Sequence, residues 1–263
     1  INLYQRAAKE GDKVNQVTSR LIALLFAITV LVLLTSVTPN VQAQSVDPAA
    51  TRILQKMTDY VGSLQQFSVH TQNTLEDLLV TGQRVDVDVS ADVAISRPNK
   101  LHAERKGDLV DQVFTYDGQT LALYNPSDKV YATRSAPGSI EEMLDFARES
   151  LGLMVPAADL VYRNAFALLM QDVNLAVVVG KSVIGEVTCD HLLFSRPGVD
   201  FQVWVADSGR PLPYKYKVTD TGTPALVSVT TIISDWNVSP ELGDDRFTFV
   251  PPQGVRQIDF MPL

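Results

Sequence analysis

The stretch VDVDVSADVAI, residues 85–95, sets Val85, Val87, Val89, Ala91, Val93 and Ile95 on one side of an extended chain and Asp86, Asp88, Ser90, Asp92 and Ala94 on the other. Successive side chains of a strand point to opposite faces, so the run predicts one strand with a dry face and a wet face. Eleven residues at ~3.3 Å each make a strand roughly 36 Å long, well beyond the usual length. A strand so long and one-sided predicts an antiparallel, strongly curved sheet.

Shorter extended candidates surround it. Residues 100–106, 112–116, 120–124 and 129–133 read as a meander, punctuated by Gly107-Asp108, Asp117-Gly118 and Asn125-Pro126-Ser127-Asp128. A second series follows at 176–184, 191–195, 201–206, 214–219, 225–236 and 247–250. Three helical stretches interrupt the strands. Asp47-Pro48 is an N-cap followed by a first-turn proline, with Ile53, Met57, Tyr60 and Leu64 at helical spacing behind it. Ser139 and Glu142 form a capping box ahead of Ile140, Met143, Leu144, Ala147 and Leu151. Pro156 opens a further helix over 157–170. No strand–helix–strand alternation runs along the chain, which disfavours a parallel sheet. The expected fold class is α+β: one curved antiparallel sheet of about ten or eleven strands, its concave face covered by about three helices.

Residues 1–20 carry Arg6, Lys9, Lys13 and Arg20 and lead into an uncharged apolar block, LIALLFAITVLVLLTSV, residues 21–37. Val41-Gln42-Ala43 follows, with a small residue where a signal peptidase cuts. The block is short for a membrane span, which needs about 20 residues. Residues 1–43 are therefore expected to be a cleavable signal peptide, cut after Ala43, with residues 44–263 forming a single periplasmic domain. Residues 1–43 hold four basic and two acidic residues, so their removal takes the net charge from −8 to −10. An acidic surface of that kind excludes a nucleic-acid partner. Cys189 is the only cysteine, so no intramolecular disulfide can form and stability must come from a packed core.

Longer words carry a resemblance. FQVWVADSGRPLPYKY, residues 201–216, and FTFVPPQGVRQID, residues 247–259, resemble the outer-membrane lipoprotein carriers of the Lol type. FTYDGQTLALYNPSDKVYAT, SIEEMLDFARESLGL, PAADLVY, VGKSVIGEVTCDHLLF and SDWN are together similar to a family of predicted periplasmic proteins within that LolA/LolB-like superfamily. The resemblance implies an incomplete antiparallel barrel under a helical lid, with an apolar interior that in the carriers accepts acyl chains. It also implies a second role known for such folds, the envelope sensor that regulates a membrane partner. The interior arginine that tethers the carriers' lid has no counterpart that a motif identifies here.

Catalytic signatures are absent from the sequence: it has no Gly-rich phosphate loop, no G-x-S-x-G and no H-E-x-x-H. His70, His102 and His191 stand far apart without metal-ligand spacing, and Asp86, Asp88 and Asp92 read as a solvated face. Cys189 beside Asp190 and His191 reads as a buried strand cysteine. The expectation is a protein that is not an enzyme and has no cofactor or metal. What remains is apolar: Val85, Val87, Val89, Val93 and Ile95 join Phe201, Val203 and Val205, then Tyr214 and Tyr216, then Val227, Val229 and Ile233, as one inner surface. That surface either binds a hydrophobic or lipidic ligand or meets the helices as ordinary core. The functions expected are a carrier for a lipid or lipoprotein acyl chain or, alternatively, a ligand-free sensor that binds an envelope protein, with transient membrane association open to either.

Overall fold

The computed structural model describes residues 45–136 and 138–260. The expected signal peptide and its cut after Ala43 lie outside the described residues.

Helix α1, Pro48–Ser63, starts as its sequence dictates: the Asp47 carboxylate accepts from the Ala49 N–H at 2.7 Å, and the proline occupies the first turn, where a missing donor costs nothing. Ala50, Leu54, Met57 and Val61 form its buried stripe, one position round from the expected line, and Ile53 packs along its margin.

The strands are β1 Gln66–Leu78, β2 Arg84–Ser96, β3 Lys100–Gly107, β4 Asp111–Tyr116, β5 Thr120–Asn125, β6 Val130–Ser135, β7 Leu175–Ile184, β8 Val187–Arg196, β9 Val199–Ala206, β10 Pro213–Asp220, β11 Ser228–Asn237 and β12 Arg256–Gln257. They form one sheet in the order β12-β6-β5-β4-β3-β2-β1-β11-β10-β9-β8-β7. Every neighbouring pair is antiparallel except β12 with β6. The sheet curves without closing, because β7 and β12 remain as edges: the alternating pattern predicts its curvature, and the fold is the incomplete barrel that the resemblance implies.

Two details of the strand count differ from expectation. Strand β1 pairs with β2 along all thirteen of its residues, from Gln66 opposite Ser96 to Leu78 opposite Arg84. It is hidden in the sequence because Thr71 and Asn73 take inward positions, where apolar residues would signal a strand. Asn73 is satisfied there: its amide donates to the Val89 carbonyl at 3.1 Å and accepts from the Thr231 hydroxyl at 2.8 Å. Residues 247–250, expected as a strand, instead leave a 3-10 turn, Asp244–Phe247, on the outer face of the sheet. Phe247 is buried in that turn, the Lys100 ammonium pairs with Asp244 at 2.5 Å, and the ring of Phe249 rests between Tyr124 and Tyr131 at 5.8 and 5.3 Å. The two prolines that follow cannot donate to a ladder, and pairing resumes only at β12.

Helix α2, Ile140–Leu151, carries the expected capping box, with Ser139 and Glu142 satisfying each other's backbone N–H groups, and it ends at Gly152 in the left-handed conformation, φ 62°. The helix expected over 157–170 is broken into a 3-10 turn, Ala158–Leu160, and a short helix α3, Ala165–Met170. Tertiary bonds replace the helical ones: the Val161 carbonyl accepts from Arg97, and the Arg163 N–H donates to Glu141 at 3.1 Å. Ile140, Met143, Leu144 and Ala147 of α2 join Leu101, Phe114, Tyr116 and Leu121 of the sheet in one core.

Candidate ligand cavity

Pairing register assigns the inner face. Ile95, Val93 and Val89 of β2 stand opposite Phe67, Val69 and Asn73 of β1, and Ile233, Thr231 and Val229 of β11 opposite Thr71, Asn73 and Leu75. Tyr216 and Val218 of β10 then face Thr231 and Val229 on one side and Val203 and Phe201 of β9 on the other. All of these lie under, or beyond the reach of, the helical layer, and their fates differ accordingly.

Val93, Ile95 and Ile233 line a small hollow of about 90 Å³, closed by Phe67, Leu101 and Trp236 among others. Tyr216 and Val229 line a larger one of about 390 Å³, with Val218 and Thr231 on the sheet side and Leu144, Arg148 and residues 152–159 on the helix side. Phe201, Val203 and Val205 are buried at 0 to 1% exposure and border neither hollow. Phe201 stacks on Phe194 with ring centroids 4.8 Å apart, and α1 packs against β9, so this part of the inner face is solid core. Val89 is buried beside Asn73 without lining either hollow, whereas Val85 and Val87 lie half-buried nearer the hairpin end of β2. Val227 falls just before β11 and is half-buried. Tyr214 occupies a bulge in β10 and is half-buried close to Cys189 rather than beside Tyr216. Alternation alone assigns a residue to a face but is silent on how far helices cover that face.

Three contributors were missed in the sequence. The first is the connection between α2 and the 3-10 turn: Val155, Pro156, Ala157 and Ala158 line both hollows, and Met154 stands 58% exposed at the surface. Its run of uncharged residues, GLMVPAA at 152–158, is unusual for a surface connection and was a legible signal. The second is Trp236, whose indole N–H donates to the Pro213 carbonyl at 3.0 Å while its ring meets Phe67 at 5.7 Å. The third is Arg97. Its side chain is fully buried, and the guanidinium donates to the Leu64 carbonyl at 3.1 Å, to Glu141 at 3.2 Å and to the Val161 carbonyl. One cation thus ties the end of β2 to α1, α2 and the turn after the apolar connection. Burial draws the Arg97 pKa below its ordinary value, and the charge of Glu141 opposes that shift.

Charge at the larger hollow is confined to Arg148 and Asp159, 4.0 Å apart, and Arg148 also pairs with Asp145 at 2.5 Å. Desolvation raises the Asp159 pKa, partly offset by Arg148 and Arg196. Burial likewise raises that of the Tyr216 phenol.

Elsewhere the polar candidates resolve into local roles. Burial pushes the Cys189 thiol up to about 11, so at neutral pH it is not a thiolate. His191 stacks on Trp204 at 4.1 Å and hydrogen-bonds Gln202 at 2.9 Å, with the Lys215 ammonium 4.7 Å from the Trp204 ring on the outer face. Asp86, Asp88 and Asp92 are solvent-exposed; Asp88 accepts from Thr74 and Asp92 meets His70, both at 2.7 Å. Among the described residues no cluster of three or more His, Cys, Asp or Glu could hold a metal ion.

An open curved sheet with an apolar hollow between its inner face and a helical layer defines a fold class rather than a single activity. Residues 50–261 match the model of the family described as "Predicted periplasmic protein (DUF2092)", and the chain belongs to that family. No curated protein matches it in sequence. Among solved structures, it is similar to an uncharacterized conserved protein from Thermus thermophilus, at 9% identity and TM-score 0.47 over 80% of this chain and 99% of that one. It is similar also to the Mycobacterium tuberculosis lipoprotein LppX, at 15% identity and TM-score 0.44 over 75% and 100%. A third is a LolA superfamily protein from Nitrosomonas europaea, at 15% identity and TM-score 0.37 over 76% and 97%.

Proposed function

We propose that this protein is a periplasmic binding or carrier protein that holds a hydrophobic or amphiphilic ligand, such as a lipid or a lipoprotein acyl chain, between the sheet and the residues 152–159 that cover it. On this reading, residues 1–43 are an export signal removed after Ala43 and residues 44–263 act as one domain without catalysis. The observation that carries the proposal is the hollow of about 390 Å³, within the size range of small-molecule sites, with a lining that is apolar apart from Arg148, Asp159, Thr231 and Tyr216. Each CH2 moved into such a space from water contributes about 0.8 kcal/mol, so ten carbons supply roughly 8 kcal/mol before the costs of immobilisation.

Titration with the neutral fluorescent probe N-phenylnaphthylamine tests the proposal. Saturable binding of one probe per chain, abolished by Val229→Glu in a variant that keeps its circular dichroism, supports it. Probe binding that is absent, or indifferent to Val229→Glu, counts against it.

A further inference from the structure

Tyr216 stands out among the groups lining the larger hollow. The residue is 2% exposed, yet its hydroxyl makes no hydrogen bond with any described residue. Every other polar side chain around it is provided for. Thr231 donates to Asn73 at 2.8 Å, and Arg148 is held by Asp145 at 2.5 Å and faces Asp159 at 4.0 Å. Burying a hydroxyl without a partner costs about 1–3 kcal/mol, so proteins rarely leave one unmatched in packed core.

The geometry says where this one looks. Among the described residues no buried side-chain oxygen or nitrogen that is shielded from solvent lacks a partner. An unbonded hydroxyl on a buried tyrosine must therefore open onto the hollow that the residue lines. The field of Asp159, another lining residue, also reaches the phenol. Arg196 reaches it too, but that guanidinium stands outside the lining and donates to the Leu168 carbonyl at 3.3 Å.

These facts restrict the guest. A phenol in that position donates to an acceptor, and an acceptor bearing a full negative charge would sit near Asp159 with the nearby Arg148 already engaged. We propose that the hollow is selective for an uncharged acyl ester or amide, its chain against Val218 and Val229 and its carbonyl oxygen accepting the Tyr216 hydroxyl, over a free fatty acid or a plain hydrocarbon. This rests on the binding function proposed above and adds the chemical class of the ligand.

Displacement of N-phenylnaphthylamine by methyl decanoate, by decanoate at pH 8 and by undecane tests it in wild type and Tyr216→Phe. The hydroxyl has no partner among the described residues to lose, so the variant should fold normally. The expected result is methyl decanoate binding about three- to tenfold tighter than undecane in wild type, the worth of one neutral hydrogen bond, with the advantage gone in Tyr216→Phe, where undecane binds at least as tightly as in wild type because it no longer covers an unpaired hydroxyl. Decanoate should bind more weakly than the ester. Equal affinities for ester and hydrocarbon, an ester preference that survives Tyr216→Phe, or decanoate binding tighter than the ester would each overturn the inference while leaving the binding function standing. Failure of both undecane and the ester to displace the probe would overturn the two together.

Discussion

Replacing Arg97 with methionine removes a guanidinium while keeping most of its stem, and the structure sets the cost. The substitution strips donors from the Leu64 and Val161 carbonyls and leaves Glu141, 21% exposed, with only the Arg163 N–H as a described donor. Breaking a buried charge pair by deleting one partner costs about 3–5 kcal/mol. For a chain of this size each kcal/mol moves the melting temperature by about 2–4 °C, so Arg97→Met should lower it by roughly 6–20 °C. Thermal denaturation followed by circular dichroism reads the shift. The Arg97→Met, Glu141→Gln double variant should melt above the temperature that adding the two single effects predicts, because the orphaned charge is then gone as well. A loss under about 3 °C for Arg97→Met, or strict additivity in the cycle, would show that this arginine is not the tie between β2 and the covering segments.

Further outcomes follow from the same geometry. Asp159 has its pKa raised in the fold, chiefly by desolvation, so the stability tied to its protonated form is present below the unfolded value of 3.8 and is lost as pH rises through the folded one. Asp159→Asn should therefore gain on wild type in melting temperature between pH 4 and pH 7, and a constant difference across that range would contradict the assignment. Cys189, buried with its pKa near 11, should react with a disulfide reagent at pH 8 only after denaturation; prompt labelling of the native protein would place the thiol at the surface. Gly152→Ala forces a Cβ into the left-handed conformation that ends α2, φ 62°, and should cost about 1–2 kcal/mol, measured by urea denaturation.

What was legible in the sequence was local. The alternation of residues 85–95 exposes β2 because its partners leave one face wet, and the Asp47-Pro48 and Ser139/Glu142 caps expose α1 and α2 because a helix end must satisfy its own N–H groups. What was hidden depends on distant partners. Strand β1 escapes notice because Asn73 is stable inside only when Thr231 and the Val89 carbonyl are in place. The break after Pro156 depends on Arg97 and Glu141 reaching in from other elements. The same holds for the hollow: Val203 and Val229 have the same signature in sequence, yet one is sealed in solid core and the other borders open space. That difference arises from how far α1, α2 and the apolar connection extend across the sheet.

Native mass spectrometry of the protein purified from its native source, beside the Val229→Glu variant that puts a charge into the larger hollow, bears most directly on the guest itself. The account predicts a single noncovalent adduct of lipid-like mass on the wild type and its loss from the variant. Bare chains in both samples under conditions that preserve the fold, or the same adduct on both, would contradict it.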